Sequence, residues 1–280
     1  MLQINSPILF PKKFIKRALK FSSGAYILRQ AELADRKKVE IMAELAPSLT
    51  VSRKEMKFLL NLEDRMKLIQ ALDTLLVPDT YGGYDGYRVR SVYFDGLDNQ
   101  DYVEKRAKFD FVKRVRLRTY SPHSTTAKFE IKKKWTHSQI KDSVIVSRED
   151  AEEMLQGNFE VLKNYDDPTA ELGYEICSTM GYRPISMVEY KRRAYTHPFF
   201  ATRITLDSEL EYCNFYYDLF SENPYPHYRS VMPITETILE VKYDTYLFPQ
   251  IQDVLTRLNL QKCPVSKFGS SRSLLEQYYY

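Results

Sequence analysis

Hydrophobic and polar positions alternate with a period of two over most of the chain between Arg53 and Phe268. The alternation is clear in Tyr87–Asp95 (YRVRSVYFD), Val112–Tyr120 (VKRVRLRTY), Lys128–Lys134 (KFEIKKK) and Ser143–Val146. It recurs in Ile185–Tyr195, Thr202–Asp207 and Thr237–Tyr243, with Lys54–Leu60 ahead of them all. That period belongs to β-strands with one buried face, so these segments predict about eight strands. Helical spacing interrupts them. Met66, Ile69, Leu72 and Leu76 share a helix face over Glu63–Leu76. Ser147 with Asp150 reads as a capping box, Asp167-Pro168 opens a helix through Met180, and Pro249 opens one to about Leu258. Gly82, Gly83 and Gly86 fall together in a turn rather than in a phosphate loop. No internal repeat or low-complexity segment is present.

The first fifty residues read differently. Lys12, Lys13, Lys16, Arg17 and Lys20 form a basic stretch, and a helix is expected from about Ala25 to Leu45, ending before Pro47. We divide the chain into a basic, helical N-terminal extension over 1–50 and a main domain over 51–280. The extension is either a docking segment for an anionic surface or a solvated helix packed on the main domain.

Composition narrows the class. With 44% hydrophobic and 28% charged residues the chain can build a core and is not disordered. No run approaches the roughly 18–20 apolar residues of a membrane span, and the apolar patch Pro7–Phe10 is too short for a signal-peptide core. Cys177, Cys213 and Cys263 are too far apart for a CxxC site, and an odd count argues against a disulfide framework, so a reduced cytoplasmic setting is expected. Only 9 glycines disfavour a doubly wound nucleotide fold, while 22 tyrosines and 15 phenylalanines favour strands. The net charge, 41 − 37 = +4, is mild, so placement matters more than sum.

Placement is uneven. Arg114, Arg116 and Arg118 share one face of their strand, opposite Val115 and Leu117. Lys128, Glu130, Lys132 and Lys134 share a face, as do Glu240 and Lys242, Tyr190 and Arg192, Arg88 and Arg90, and Arg203, Thr205 and Asp207. A surface built only for solubility would intersperse both signs. Eight such strands closed with their charged faces inward would make a tunnel lined by arginine and lysine. Such an interior requires a polyanion, or water and counter-ions, to compensate it. Arginine forks match phosphate oxygens, and scattered carboxylates suit a hard divalent cation bridging phosphates.

The segments RKEMKFLL (53–60), YRVRSVYFD, KRVRLRTY, FEIKKK, VEYKRRAY, TRITLD, ILEVKY and SKF (266–268) occur in an order that resembles the VTC-type polyphosphate polymerase domain of the triphosphate tunnel metalloenzymes, the CYTH-like superfamily. The resemblance implies an α+β fold, an eight-stranded antiparallel β-barrel tunnel with helices packed outside. It implies transfer of the γ-phosphoryl group of ATP to a growing polyphosphate chain with Mn²⁺ or Mg²⁺.

By the same resemblance Arg116 and Arg118 match the R-x-R pair that grips phosphate, Lys132 the lysine of the E-x-K strand, and Lys141 the basic residue that follows. Lys57 matches the first-strand lysine, Tyr190 and Arg192 the Y-x-R pair, and Arg203 the arginine opening the strand that ends in L-D. Glu240 matches the metal-binding glutamate, and Ser266 with Lys267 the terminal S-K pair. There are departures. The first strand has Arg53, Glu55 and Lys57 where the wider superfamily has E-x-E-x-K, which favours the polymerase branch over the carboxylate-rich hydrolases and cyclases. The lysine before the final S-K falls near Pro264, with Lys262 as an off-register substitute, and the family histidine corresponds loosely to Lys134 or His137.

The expected substrates are ATP and polyphosphate, and no nucleic acid is expected. Family members often work with a membrane protein, which would bring the chain to the inner face of a membrane. Two other readings use the same residues: a triphosphatase or polyphosphatase with water as acceptor, and a non-catalytic polyphosphate or nucleotide sensor.

Overall fold

The computed structural model describes residues 54–135, 139–224, 227–262 and 266–276. The extension over 1–50, Arg53, His137, Cys263, Pro264 and Tyr278–Tyr280 lie outside them.

Eight long strands carry the fold: β1 (Lys54–Leu60), β3 (Tyr87–Asp95), β4 (Val112–Thr119), β5 (Thr126–Lys134), β6 (Gln139–Ser147), β7 (Arg183–Thr196), β8 (Arg203–Cys213) and β10 (Thr237–Tyr243). Two-residue strands β2 (Val77–Pro78), β9 (Arg229–Ser230) and β11 (Gln261–Lys262) pair at their margins. All pairings are antiparallel, in the order β11-β1-β10-β8-β7-β3-β4-β5-β6. The α-helices are α1 (Leu62–Leu75), α2 (Gln100–Arg106), α3 (Arg148–Leu155), α4 (Pro168–Thr179), α5 (Pro249–Thr256) and α6 (Lys267–Glu276). The α+β architecture is the one expected, with the eight alternating segments as the long strands. No helix among the described residues is long and apolar enough to cross a membrane.

The alternation sorts the sheet into an apolar outside and a charged inside. Val115, Leu117, Phe129 and Ile131 face α3 and α4, meeting Met154, Ala170 and Cys177. Leu239, Val241, Ile204 and Leu206 face α1 and α5, meeting Leu68, Leu72 and Ile251. Each fully buried leucine or isoleucine contributes roughly 1.5–3 kcal/mol, so the two helix layers fix the wall from outside. The caps expected from sequence hold them: Ser147 Oγ accepts the Asp150 N–H at 3.0 Å, and Asp167 Oδ1 accepts that of Thr169 at 2.7 Å.

Register aligns the inward positions. Arg114 lies opposite Lys132 and that opposite Lys141, while Tyr93, Arg116 and Glu130 form the next row. On the far side Lys57, Glu240 and Thr205 form one row and Glu55, Lys242 and Arg203 another. Among the described residues no strand joins β6 to β11, so the wall has a seam. The sheet nonetheless curls until Lys132 on β5 lies in the field of Glu55, Lys57 and Lys242 on β1 and β10. That curl makes a tunnel.

Part of the interior is filled. Val89, Tyr93, Val188, Tyr190, Leu210 and Ile238 pack with Tyr102 of α2 and Phe268 of α6. A bulge in β8 makes the change from polar to apolar lining possible. Register shifts between Glu189 and Lys191, and Glu209 adopts φ 52°, so both Asp207 and Leu210 reach the inner side.

Two helices were not foreseen, and both bear on the site. In one, Ser266 Oγ accepts the Gly269 N–H at 3.3 Å and Lys267 opens α6, so the terminal S-K pair starts a helix. The other is α2, held by Asp95 at the end of β3. Its carboxylate accepts the N–H groups of Gly96, Asp101 and Tyr102 at 2.8–3.0 Å, which caps the helix start from outside the helix.

Candidate functional site

The β4–β5 wall concentrates charge around one carboxylate. Glu130, 1% exposed, accepts from Arg116 Nε at 2.6 Å and Lys141 Nζ at 2.8 Å, with Arg118 3.8 Å away. It serves Arg116 and Lys141 rather than Lys132 on its own strand face. Despite burial, these cations pull its carboxyl down to about 2. Arg116 also donates to the Tyr93 hydroxyl at 3.2 Å, and Arg118 to Ser91 Oγ at 3.1 Å and the Tyr190 hydroxyl at 3.4 Å. Three cations thus share a single anion.

Lys132 forms no ion pair among the described residues. Burial, followed by repulsion from Lys57, Lys242 and Arg114, lowers its ammonium to about 8 against the attraction of Glu55. Lys105 on α2 is in the same condition, lowered to about 8 by burial, Arg114 and Lys57. Sequence reasoning missed Lys105, because its helix has only seven residues and takes its cap from a strand. The available signal was Asp95 closing a strand just ahead of a polar, helix-compatible run. The body of α2 is fixed by Asp101, which accepts from Lys113 at 2.7 Å and Tyr182 at 2.9 Å.

On the opposite side Asp207, fully buried, accepts two bonds from Arg192 at 2.7 and 2.8 Å and one from Lys267 at 2.6 Å. Against burial, Arg192 and Lys267 hold its carboxyl at about 2. Both cations lie over the Tyr190 ring, at 5.2 and 4.6 Å from its centre. Ser266 caps α6 beside Arg114, 3.5 Å from its guanidinium, so the positive end of a helix adds to the same field. Thr205 faces this side too, and its buried hydroxyl has no hydrogen-bond partner among the described residues.

The fourth group is a lattice of alternating sign on β1 and β10. Lys57 meets Glu55 at 2.9 Å, and Lys242 meets Glu240 at 2.7 Å and Glu55 at 3.8 Å. Burial opposes it, yet Lys242 and Lys57 hold the Glu240 carboxyl well below the usual carboxylate range. Among the described residues no three acids, histidines or cysteines gather, and Glu55 and Glu240 meet at Lys242 as a pair of carboxylates in the bore.

The structure therefore brings Lys57, Arg116, Arg118, Lys132, Lys141, Tyr190, Arg192, Glu240, Ser266 and Lys267 to one interior. Arg203 stands apart at an end of the tunnel, 38% exposed, paired with Asp79 at 3.0 Å. Arg88 and Arg90 lie on the other face, bound to Glu209 and Glu189. Among the described residues Glu55, Glu130, Asp207 and Glu240 are the acids paired with or facing cations contributed by six strands and two helices.

The family model described as VTC domain matches residues 52–276. No curated protein matches the chain. Among solved structures the chain is similar to a candidate adenylate cyclase from Bacillus halodurans, at 13% identity over 77% of this chain and 95% of that one, with a TM-score of 0.46. It is similar to a candidate adenylyl cyclase from Hippeastrum described as having a dominant triphosphatase activity, at 13% identity over 78% and 94%, TM-score 0.49. A third is the PH1819 protein of Pyrococcus horikoshii OT3, at 11% identity over 80% and 99%, TM-score 0.43.

Proposed function

Because the chain belongs to the VTC domain family, we propose that its tunnel threads a linear phosphate chain and that the protein is an ATP-dependent polyphosphate polymerase. One observation carries the reading: cations from opposite walls converge on one bore, where among the described residues Lys132 forms no ion pair, and burial with the neighbouring cations lowers Lys132 and Lys105 to about 8. A polyphosphate supplies the missing charge at regular spacing.

The proposed step is in-line displacement. A terminal phosphate oxygen of the chain attacks the γ-phosphorus of ATP, the bridging bond between β and γ breaks, and ADP leaves a chain one phosphate longer. The attacking oxygen is already ionised, so no general base is required, and positioning with charge neutralisation does the rest. Arg116 and Arg118 would fork onto the oxygens of the transferred group. Lys57, Lys132, Lys141 and Lys267 would hold successive phosphates, with the hydroxyls of Tyr190 and Ser266 as neutral donors. Arg192 is clamped by Asp207 and acts as fixed positive wall, and Arg203 would meet the donor at the tunnel end.

Two carboxylates are few for a metal alone but fit Mg²⁺ or Mn²⁺, which commonly uses one or two carboxylates and completes its shell with substrate phosphate oxygens. Glu240 and Glu55 would hold it. When bound, the ion neutralises charge shared between adjacent phosphates.

The decisive test is incubation of the full chain with ATP and Mn²⁺, followed by separation of products by length. Long chains with matching ADP are expected. Orthophosphate without chains would replace the polymerase by a triphosphatase or polyphosphatase, and tripolyphosphate binding without turnover would leave a sensor. We further place the protein in the cytoplasm, handing its product to a membrane-protein partner; Lys12–Lys20 is the candidate contact.

The depressed lysines give this reading a pH signature. An anion restores Lys132 and Lys105 toward their ordinary value near 10.5, so the bound state holds more protons between the two values. Tripolyphosphate affinity should therefore fall as pH rises from 8 to 10, by up to about tenfold per pH unit for each lysine. Titration calorimetry at pH 9 in buffers of different ionisation enthalpy should register proton uptake. Release, or no exchange, would show that these lysines do not face the anion.

A further inference from the structure

One end of the tunnel carries an aromatic cluster that phosphate binding does not use. Tyr81 and Tyr120 stack at 5.8 Å between ring centres with 19° between planes, and Tyr87 meets both, edge-on to Tyr120. Tyr81 is 72% and Tyr120 39% exposed, a costly way to display two large rings on a soluble surface. The cluster is joined to the cationic lining. Tyr120 follows Arg118 by two residues, Tyr87 pairs in register with Arg192, and the Tyr87 hydroxyl lies 3.4 Å from Arg203.

Its placement is fixed by the glycine-rich turn. A Cβ on Gly82 would come within 2.5 Å of the Tyr87 ring, and one on Gly86 within 2.5 Å of the Arg192 carbonyl. The turn can therefore press against the tunnel end only with glycine there, and this sets Tyr81 over Tyr120. Asp79, at the start of the turn, is nine-tenths buried. Its Oδ2 takes Tyr87 and Arg203, which ties the turn to the cationic lining, while the buried Oδ1 has no hydrogen-bond partner among the described residues. Two open rings joined through Tyr87 to an arginine suit a group that is aromatic and carries phosphate.

We propose that Tyr81 and Tyr120 form the stacking platform for the nucleobase of the nucleoside triphosphate donor, with Arg203 at the junction of base and phosphates. The inference rests on the donor reading above and adds to it how a nucleotide is told from a bare phosphate chain. Inorganic chain lacks the ring, so the platform separates donor from product at the tunnel end.

Equilibrium binding of ATP and of tripolyphosphate to the full chain tests this. Base–aromatic stacking carries enough energy that Tyr81→Ala should weaken ATP about tenfold, while tripolyphosphate, which also reports that the variant is folded, should bind as before. Tyr81→Phe keeps the ring and should restore ATP binding, and Tyr120→Ala should repeat the loss. The proposal falls if Tyr81→Ala leaves ATP unchanged or weakens both ligands alike. It falls alone if the wild type binds tripolyphosphate but not ATP, and together with the tunnel reading if neither binds.

Discussion

Arg118→Ala is expected to slow chain elongation from ATP by about 10²–10³-fold, the usual loss when one preorganised donor is removed from a developing anion. The choice of residue matters. Glu130 keeps Arg116 and Lys141 at 2.6 and 2.8 Å after the change, so no carboxylate is stranded. What is lost is two bonds to neutral hydroxyls, Ser91 and Tyr190, and one guanidinium. Melting temperature should shift by only a few degrees. Arg118→Lys should recover part of the rate, because an ammonium keeps the charge but not the fork that spans two phosphate oxygens. A rate within threefold of wild type for Arg118→Ala would mean that β4 does not touch the transferred group.

Asp207→Ala should have the largest effect on stability. It removes the one anion that, among the described residues, bonds both Arg192 and Lys267 in the interior. Breaking a buried pair in this way costs about 3–5 kcal/mol, because the surviving cations remain out of water and uncompensated. For a domain of this size that is on the order of 10 °C in melting temperature. The sign of the pH dependence follows from the depressed carboxyl. Asp207 contributes fully above the unfolded value near 4, and its contribution is lost as pH falls toward about 2. The gap between wild type and variant should thus narrow between pH 4 and 2 in thermal denaturation. Tripolyphosphate at pH 7 should raise the melting temperature of the variant more than that of the wild type, since the ligand stands in for the missing charge. Equal increments would show that phosphate does not reach Arg192 and Lys267.

Much of this arrangement was legible before any coordinates. Alternation is a property of single strands, so the eight long strands and the sorting of Arg114, Arg116 and Arg118 from Val115 and Leu117 follow from sequence alone. The capping residues Ser147 and Asp167 were equally local. What escaped depends on partners distant in the chain. Asp95 caps α2 from the end of β3, and with Asp101 bound to Lys113 and Tyr182 it holds a seven-residue run as a helix carrying Lys105 toward the bore. The start of α6 has a local cap, Ser266 to Gly269, but its place beside Arg114, 152 residues away, shows only in the fold. Which acid belongs to which cation was also closed to sequence. Glu130 and Lys132 are two residues apart on one strand, yet Glu130 is satisfied from β4 and β6 while Lys132 is left uncompensated. The bulge at Glu209 had no signal at all, since a non-glycine residue at positive φ is stabilised by the neighbouring strands rather than by its own type.

Among the described residues the edges of β6 and β11 are unjoined, which leaves this cylinder split along its length. Across the split Lys132, one strand in from the β6 lip, is drawn by Glu55 of β1 and repelled by Lys57 and Lys242 of β1 and β10, so charge on the two sides nearly balances and does not by itself clasp the wall. If a polyanion threads the bore as proposed, it adds attraction to both sides at once and takes the part of the missing stave.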